Sequence, residues 1–289
     1  MFSTWDEYHL INDELAGLAQ EMPEFDLGEV IRYALSSPGK RVRPLILLFS
    51  SEAFGGSAET AMKAALAVEL VHAASLVHDD ILDYGLERRG GASTLGRFGR
   101  DSALLAGDFL ISKSIDLISS YGQKVICTFA RACMSMSEGE MMDISLNISP
   151  ESYNRCIFLK TATLFAASAR IGCLIAGADE RDAAGFESYG THLGLAYQIL
   201  DDLEEHLGID QGKKSGKKSL TLPGIYELDH SPEAAVEMCV QVIKGECSSA
   251  KMALSSTSGD SEMKCRLAEI IDQMTAKGLN RCRLQRSLC

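Results

Sequence analysis

The sequence predicts an all-α protein, and three observations carry that prediction. Apolar residues recur near i, i+3, i+4 and i+7 over several long runs, the period of a helix buried along one side. None of the six prolines falls between Pro44 and Pro150, which leaves room for long uninterrupted helices. Alternating β-branched segments bounded by turn signals are nearly absent.

The first strong signal along the chain is Gly39-Lys40-Arg41-Val42-Arg43-Pro44, three cations just before the apolar run Leu45-Ile46-Leu47-Leu48-Phe49. Cations are unfavourable at the positive end of a helix dipole unless an anion also binds there, so this segment reads as a phosphate site. Residues 61–83 are glycine-free and rich in Ala, Leu and Val, which predicts a helix of about six turns. It closes on Asp79-Asp80-Ile81-Leu82-Asp83. A Gly-rich stretch at 85–99 reads as a loop, and the runs 101–120, 122–143, 151–176, 180–207 and 233–253 each read as helix. The run 180–207 ends on a second acidic group, Asp201-Asp202-Leu203-Glu204-Glu205, followed by a Gly/Lys/Ser loop at 208–219. Residues 254–262 read as a polar connector, and the tail after Lys277 is expected to be loose. One single-domain bundle of long, mostly antiparallel helices over 1–289 is the simplest partition.

Composition narrows the function. With 46% hydrophobic and 24% charged residues the chain is an ordinary folded protein. A net charge of −12 argues against nucleic acid as a partner, because such binding rests on neutralising phosphates with basic surface. The best membrane candidate, Leu164 to Ala178, is short and contains Arg170, so no stable membrane insertion is expected. The opening MFSTWDEYHL has no basic-then-apolar pattern, and the expected location is the cytoplasm. Nine cysteines without a CxxC pair read as reduced thiols packed as small hydrophobes.

The two acidic groups carry the chemistry. Residues four apart share a helix face about 5 to 6 Å apart, so Asp79 and Asp83, or Asp201 and Glu205, can contribute to one ligand set. Carboxylate oxygens suit Mg²⁺, which takes its remaining ligands from water and substrate phosphates. Arg88-Arg89-Gly90-Gly91 follows the first group, and arginine forks match phosphate oxygens in pairs. His72 lies seven residues before Asp79, within about 20° of it around the helix.

These motifs resemble the trans-isoprenyl diphosphate synthases, the family of farnesyl, geranylgeranyl and longer polyprenyl diphosphate synthases. GKRVRP is similar to the family's isopentenyl diphosphate loop. DDILD with its following RRG resembles the first aspartate-rich motif, Lys160-Thr161 the mid-chain KT pair, and YQILDD the second motif, all in the family's order from about Gly39 to Pro223. The resemblance implies that Asp79 and Asp83 ligate Mg²⁺ from one side and Asp201 from the other, with Asp80, Asp202 and Glu205 nearby. It implies that Arg88, Lys160, Thr161, Gln198 and a lysine among Lys213, Lys214, Lys217 and Lys218 hold the allylic diphosphate. Lys40, Arg43, His72 and Arg89 would hold the diphosphate of isopentenyl diphosphate. The implied reaction ionises the allylic C–O bond, adds the alkene of isopentenyl diphosphate to the cation and loses a proton to the departing diphosphate. The implied assembly is a homodimer.

In this family, bulky aromatics four or five residues before the first aspartate close the product pocket early. Here those positions hold Ser75 and Ala74. The expected product is therefore longer than farnesyl and most simply geranylgeranyl diphosphate, with Val68, Val71, Phe109 and Ser114 setting the floor; farnesyl and longer polyprenyl products are the alternatives. Two departures stand out: Glu205 replaces the usual aspartate, and the 208–220 loop is short, with lysine near 217–218 in place of an aspartate. Three other readings compete. A class I terpene cyclase would not need the GKRVRP loop. A non-catalytic regulatory subunit would have lost aspartates that this chain keeps. A di-iron bundle needs paired Glu-x-x-His motifs, and the central helices offer only Glu69-Leu70-Val71-His72.

Overall fold

A computed structural model of the protein describes residues 2–22, 24, 26–88, 90–144, 149–209 and 221–286. The helices come in the order α1 (Asp6–Gln20), α2 (Asp26–Ser36), α3 (Val42–Glu52) and α4 (Ala58–Leu82), then, after a short hairpin of β1 (Glu87–Arg88) and β2 (Gly91–Ala92), α5 (Thr94–Phe98), α6 (Arg100–Ile118), α7 (Gln123–Ile144) and α8 (Pro150–Ile157). A π-helical turn, Phe158–Ala162, joins α8 to α9 (Thr163–Ile175). The chain continues through α10 (Glu180–His206), α11 (Leu222–Tyr226), α12 (Pro232–Ser255) and α13 (Ser261–Arg286).

Local chemistry sets the starts of these helices. Ser57 and Thr60 form a reciprocal cap at α4, Ser149 with Pro150 opens α8, Asp179 caps α10 and Ser231 with Pro232 opens α12. At the centre, α3 buries Leu45 to Phe49 completely. The Ala-rich α4 packs against α3 and α6, and α9 lies between α3 and α10. A Cβ on Gly190 of α10 would sit 2.5 Å from the carbonyl oxygen of Phe165, so only glycine lets α10 approach α9 this closely. A second apolar cluster, including Tyr153, Ile199, Leu203 and Cys239, lies under α11 and α12.

The five helical runs read from the sequence match α6, α7, the α8–α9 pair, α10 and α12 to within about two residues. Three features differ. The 85–99 loop contains a hairpin and α5, because the Ser93 hydroxyl donates to the Gly85 carbonyl at 2.6 Å and accepts from the Gly96 amide at 3.0 Å. The part of the tail within the described residues is ordered helix: α13 runs on to Arg286, with Cys282 fully buried and Arg281 paired to Glu204. Two helical stretches, Ala58–Leu82 and Pro150–Ile175, are long and apolar enough to cross a bilayer, but 67% and 72% of their most apolar windows are buried inside the protein. They are core helices. Among the described residues all eight cysteines are free thiols, with Cys156, Cys173, Cys239 and Cys282 buried and Cys127 and Cys265 exposed.

Candidate active site

Both acidic groups sit at the wrong ends of their helices for electrostatics. Asp79 and Asp80 occupy the last turn of α4, Asp83 caps it and no basic residue accompanies them; Asp201 to Glu205 occupy the last turns of α10. Each carboxylate near a helix C-terminus costs about 0.3–1 kcal/mol against the dipole. Two such concentrations of negative charge at helix C-termini favour the approach of cations.

The protein itself compensates part of that charge. Arg88 grips Asp80 with two nitrogens, Nε at 3.1 and 3.0 Å from the two carboxylate oxygens and Nη2 at 2.9 Å, and Asp80 is buried. Asp202 accepts from the Tyr153 hydroxyl at 2.6 Å and from Gln198 Nε2 at 2.9 Å, while the Gln198 carbonyl accepts from Thr161 at 2.7 Å. Gln198 and Thr161 thus form a relay that orients Asp202. Burial pushes the Asp202 carboxyl up to about 6 against these two hydrogen bonds. Burial likewise pushes Asp201 up to about 7, although Lys40 and a hydrogen bond from Tyr197 pull it down. Glu205 lies on the exposed side of α10 and adds its negative field to Asp202.

Lys160 ties the two groups together. It sits in the π-helical turn, a local irregularity often found at functional sites. Its ammonium lies 2.6 Å from Glu140 and 2.7 Å from Asp143, both on α7. Burial lowers its proton affinity, but the fields of Asp79, Asp143 and Glu140 outweigh burial and leave it firmly charged. Asp79 acts on Lys160 from the α4 side, and Asp143 acts on Asp202 on the α10 side. Lys160 and its partner Asp143 thus couple the two acidic groups electrostatically.

The cationic side is a cleft of about 560 Å³ lined by Lys40, Arg43, His72, Asp80, Arg88, Phe165 and Tyr197, among others. The middle arginine of GKRVRP also lines this cleft, but its guanidinium is tied to protein groups. Arg41 adopts a left-handed backbone (φ 51°), pairs with the buried Glu69 at 2.7 Å and donates to Asn12 and the Ser37 carbonyl. That anchoring fixes the loop and presents Lys40 and Arg43. Arg43 lies 4.3 Å over the Phe165 ring with its Nε buried and without a hydrogen-bond partner. Burial lowers its pKa, against the opposing fields of Tyr197, Glu69 and Asp201. An orphaned buried donor costs about 1–3 kcal/mol, a penalty that an incoming anion removes.

The sequence-derived residues Lys40, Arg43, His72, Asp80 and Arg88 meet in this cleft, and Lys160, Thr161, Gln198, Asp201 and Asp202 meet beside it. Arg89, Lys213, Lys214, Lys217 and Lys218 lie outside the described residues. Sequence reasoning missed Glu69, Glu140, Asp143, Tyr153 and Tyr197. Glu140 and Asp143 carried a usable signal, two acids three apart on one helix face of run 122–143; Tyr153 carried none. Among the described residues no three carboxylate, imidazole or thiol groups converge on one point. A hard divalent cation that takes most of its oxygens from water and phosphate still fits the donor chemistry, because the carboxylates stand in two sets around a charged centre.

Comparison with known proteins decides the family. The polyprenyl synthetase family model matches residues 25–256. The chain belongs to that family. This polyprenyl synthetase family member is 42% identical over 274 residues to the geranylfarnesyl diphosphate synthase of Methanosarcina mazei, covering 94% of this chain and 92% of that one. It is 36% identical over 230 residues to the geranylgeranyl diphosphate synthase of Sulfolobus acidocaldarius, covering 73% and 70%. The crystal structure of a geranyltranstransferase from Methanosarcina mazei superposes with a TM-score of 0.85 at 40% identity, covering 96% of this chain and 100% of that one. The all-α architecture and the trans-prenyltransferase activity read from the motifs hold for this polyprenyl synthetase family member.

Proposed function

We propose that the carboxylates of Asp79 and Asp83 on one side and Asp201 on the other hold the allylic diphosphate through Mg²⁺. Arg88 and Lys160 supply direct cationic contacts, and Lys40, Arg43 and His72 bind the diphosphate of isopentenyl diphosphate. What supports this reading is the Lys160 ammonium 2.7 Å from Asp143 and within the field of Asp79, with the unpartnered Nε of Arg43 in the adjoining cleft. Bound magnesium supplies Lewis-acid stabilisation of the charge developing on the departing diphosphate oxygen. The residues do the rest. Arg88 stays aligned by its two-nitrogen grip on Asp80, and Thr161 and Gln198 keep Asp202 oriented behind the ligand set. Glu205 acts at longer range. Phe165 and the apolar flank of α4 keep water from the allylic cation, and no protein nucleophile is needed. The working location is the cytoplasm.

The product is proposed to be geranylgeranyl diphosphate. On α4, Ala74, Val71 and Val68 are buried, Ser75 turns its hydroxyl back onto the His72 carbonyl, and on α6 Ser114 is buried and Phe109 packs against the core. No aromatic on α4 blocks growth near Asp79. Similarity to a geranylfarnesyl diphosphate synthase over 94% of the chain supports a second reading, a product one isoprene unit longer. Incubation with labelled isopentenyl diphosphate, Mg²⁺ and each of three allylic primers, followed by product sizing, decides between them. A product that stops at farnesyl rejects both. The Ala74→Phe variant is expected to shorten the product by at least one unit, and an unchanged length removes Ala74 from the pocket.

A homodimer is the proposed assembly. On α6 Leu104, Leu105 and Ile115 share an arc of roughly 100° and are 45%, 57% and 54% exposed, while Met134 on α7 is 59% exposed. Exposed apolar side chains on one helix face mark an interaction surface. The double variant Leu105→Glu/Ile115→Glu is expected to sediment as a folded monomer; a dimer of unchanged affinity places the interface elsewhere.

A further inference from the structure

We infer that Glu140 and Asp143 act as a carboxylate gate on Lys160, holding its ammonium until a diphosphate arrives and then competing for it, so that the charge of Glu140 sets how tightly the diphosphate is kept. The inference rests on the assignment of Lys160 to the allylic diphosphate. Its basis is a local charge imbalance: one ammonium stands between two carboxylates at 2.6 and 2.7 Å. An ammonium has three donors, and two are already committed. A diphosphate can take the third, but gaining more from Lys160 means displacing a carboxylate.

The arrangement is built into the fold. A Cβ on Gly139 would lie 2.2 Å from the Lys160 amide nitrogen and 2.6 Å from its Cα. Glycine at 139 therefore lets α7 press directly on the π-helical turn, and the Cys156 thiol donates to the Gly139 carbonyl at 3.5 Å at the same contact. Glu140 and Asp143, three apart, then project from one face of α7 towards the Lys160 side chain. Their side chains are 16% and 28% exposed, so water screens them incompletely.

The two acids differ in what else they touch. Asp143 also acts on Asp202, so its replacement disturbs the second acidic group as well. Glu140 is the cleaner lever. In Glu140→Gln an acceptor oxygen and the side-chain volume remain, Lys160 stays placed, and only the charge that repels phosphate is lost. A unit charge a few ångströms from a phosphate in a partly buried site changes affinity by about tenfold or more.

The test is calorimetric titration of inorganic diphosphate in excess Mg²⁺ into wild type, Glu140→Gln, Asp143→Asn and Lys160→Met, with steady-state kinetics on the same proteins. Glu140→Gln is expected to bind inorganic diphosphate about tenfold more tightly, to lower KM for the allylic diphosphate and to leave KM for isopentenyl diphosphate unchanged. Asp143→Asn should tighten binding in the same direction. Lys160→Met should weaken it about tenfold. If Lys160→Met weakens binding while Glu140→Gln leaves it unchanged or weaker, the gate is wrong. If Lys160→Met has no effect, the assignment of Lys160 itself is wrong.

Discussion

Asp79→Ala lowers turnover by about 10²- to 10³-fold, the size seen when one preorganised group that stabilises a leaving oxyanion is deleted. The fold survives the change. Asp79 stands in the last turn of α4, where its charge opposes the helix dipole but supports the charge of Lys160, and these opposing effects are expected to leave stability within about 1 kcal/mol of wild type. Incorporation of labelled isopentenyl diphosphate measures the first effect and a thermal melt of the metal-free protein the second. Activity within threefold of wild type would take Asp79 out of the metal face, and loss of activity together with loss of folding would make its role structural.

Arg43→Met separates function from stability in a different way. The guanidinium is buried, its Nε has no partner, and burial already depresses its pKa. Methionine covers the Phe165 ring without carrying a charge. Replacing a buried charge by an apolar side chain of similar reach is often neutral or stabilising, by about 1–2 kcal/mol here. The same change removes a charged donor from the cleft proposed to bind isopentenyl diphosphate, and truncation of a buried charged contact costs about 2–5 kcal/mol in binding. KM for isopentenyl diphosphate should rise about 100-fold while binding of inorganic diphosphate at the carboxylates is retained. A variant with lower melting temperature and unchanged KM would show that Arg43 serves the core.

Much of this architecture was legible because the physics is local. The glycine-free stretch before Asp79 and the proline gap act through neighbouring residues, and the long helices follow from them. The polar α1 and the far end of α13 were not legible, since α13 is held by Arg281 on Glu204 and by the burial of Cys282, contacts made across the fold. The roles within the motifs were hidden for the same reason. GKRVRP shows three cations lining one cleft, yet only the distant Glu69 reveals that Arg41 is already paired and anchors the loop. DDILD and DDLEE show runs of acids, and the partners Arg88, Tyr153 and Gln198 then tie down Asp80 and Asp202. The π-helical turn that carries Lys160 has no sequence signature; it depends on Gly139 of α7 pressing against it.

In the proposed mechanism two acidic helix ends form one cage around a single diphosphate. Mn²⁺ binding followed by electron paramagnetic resonance, with and without inorganic diphosphate, tests it in wild type, Asp79→Ala and Asp201→Ala. Tight Mn²⁺ binding is expected only when diphosphate is present, with loss of that diphosphate-dependent binding in either single variant. Two Mn²⁺ sites that fill without diphosphate, each surviving loss of the opposite aspartate, would contradict it.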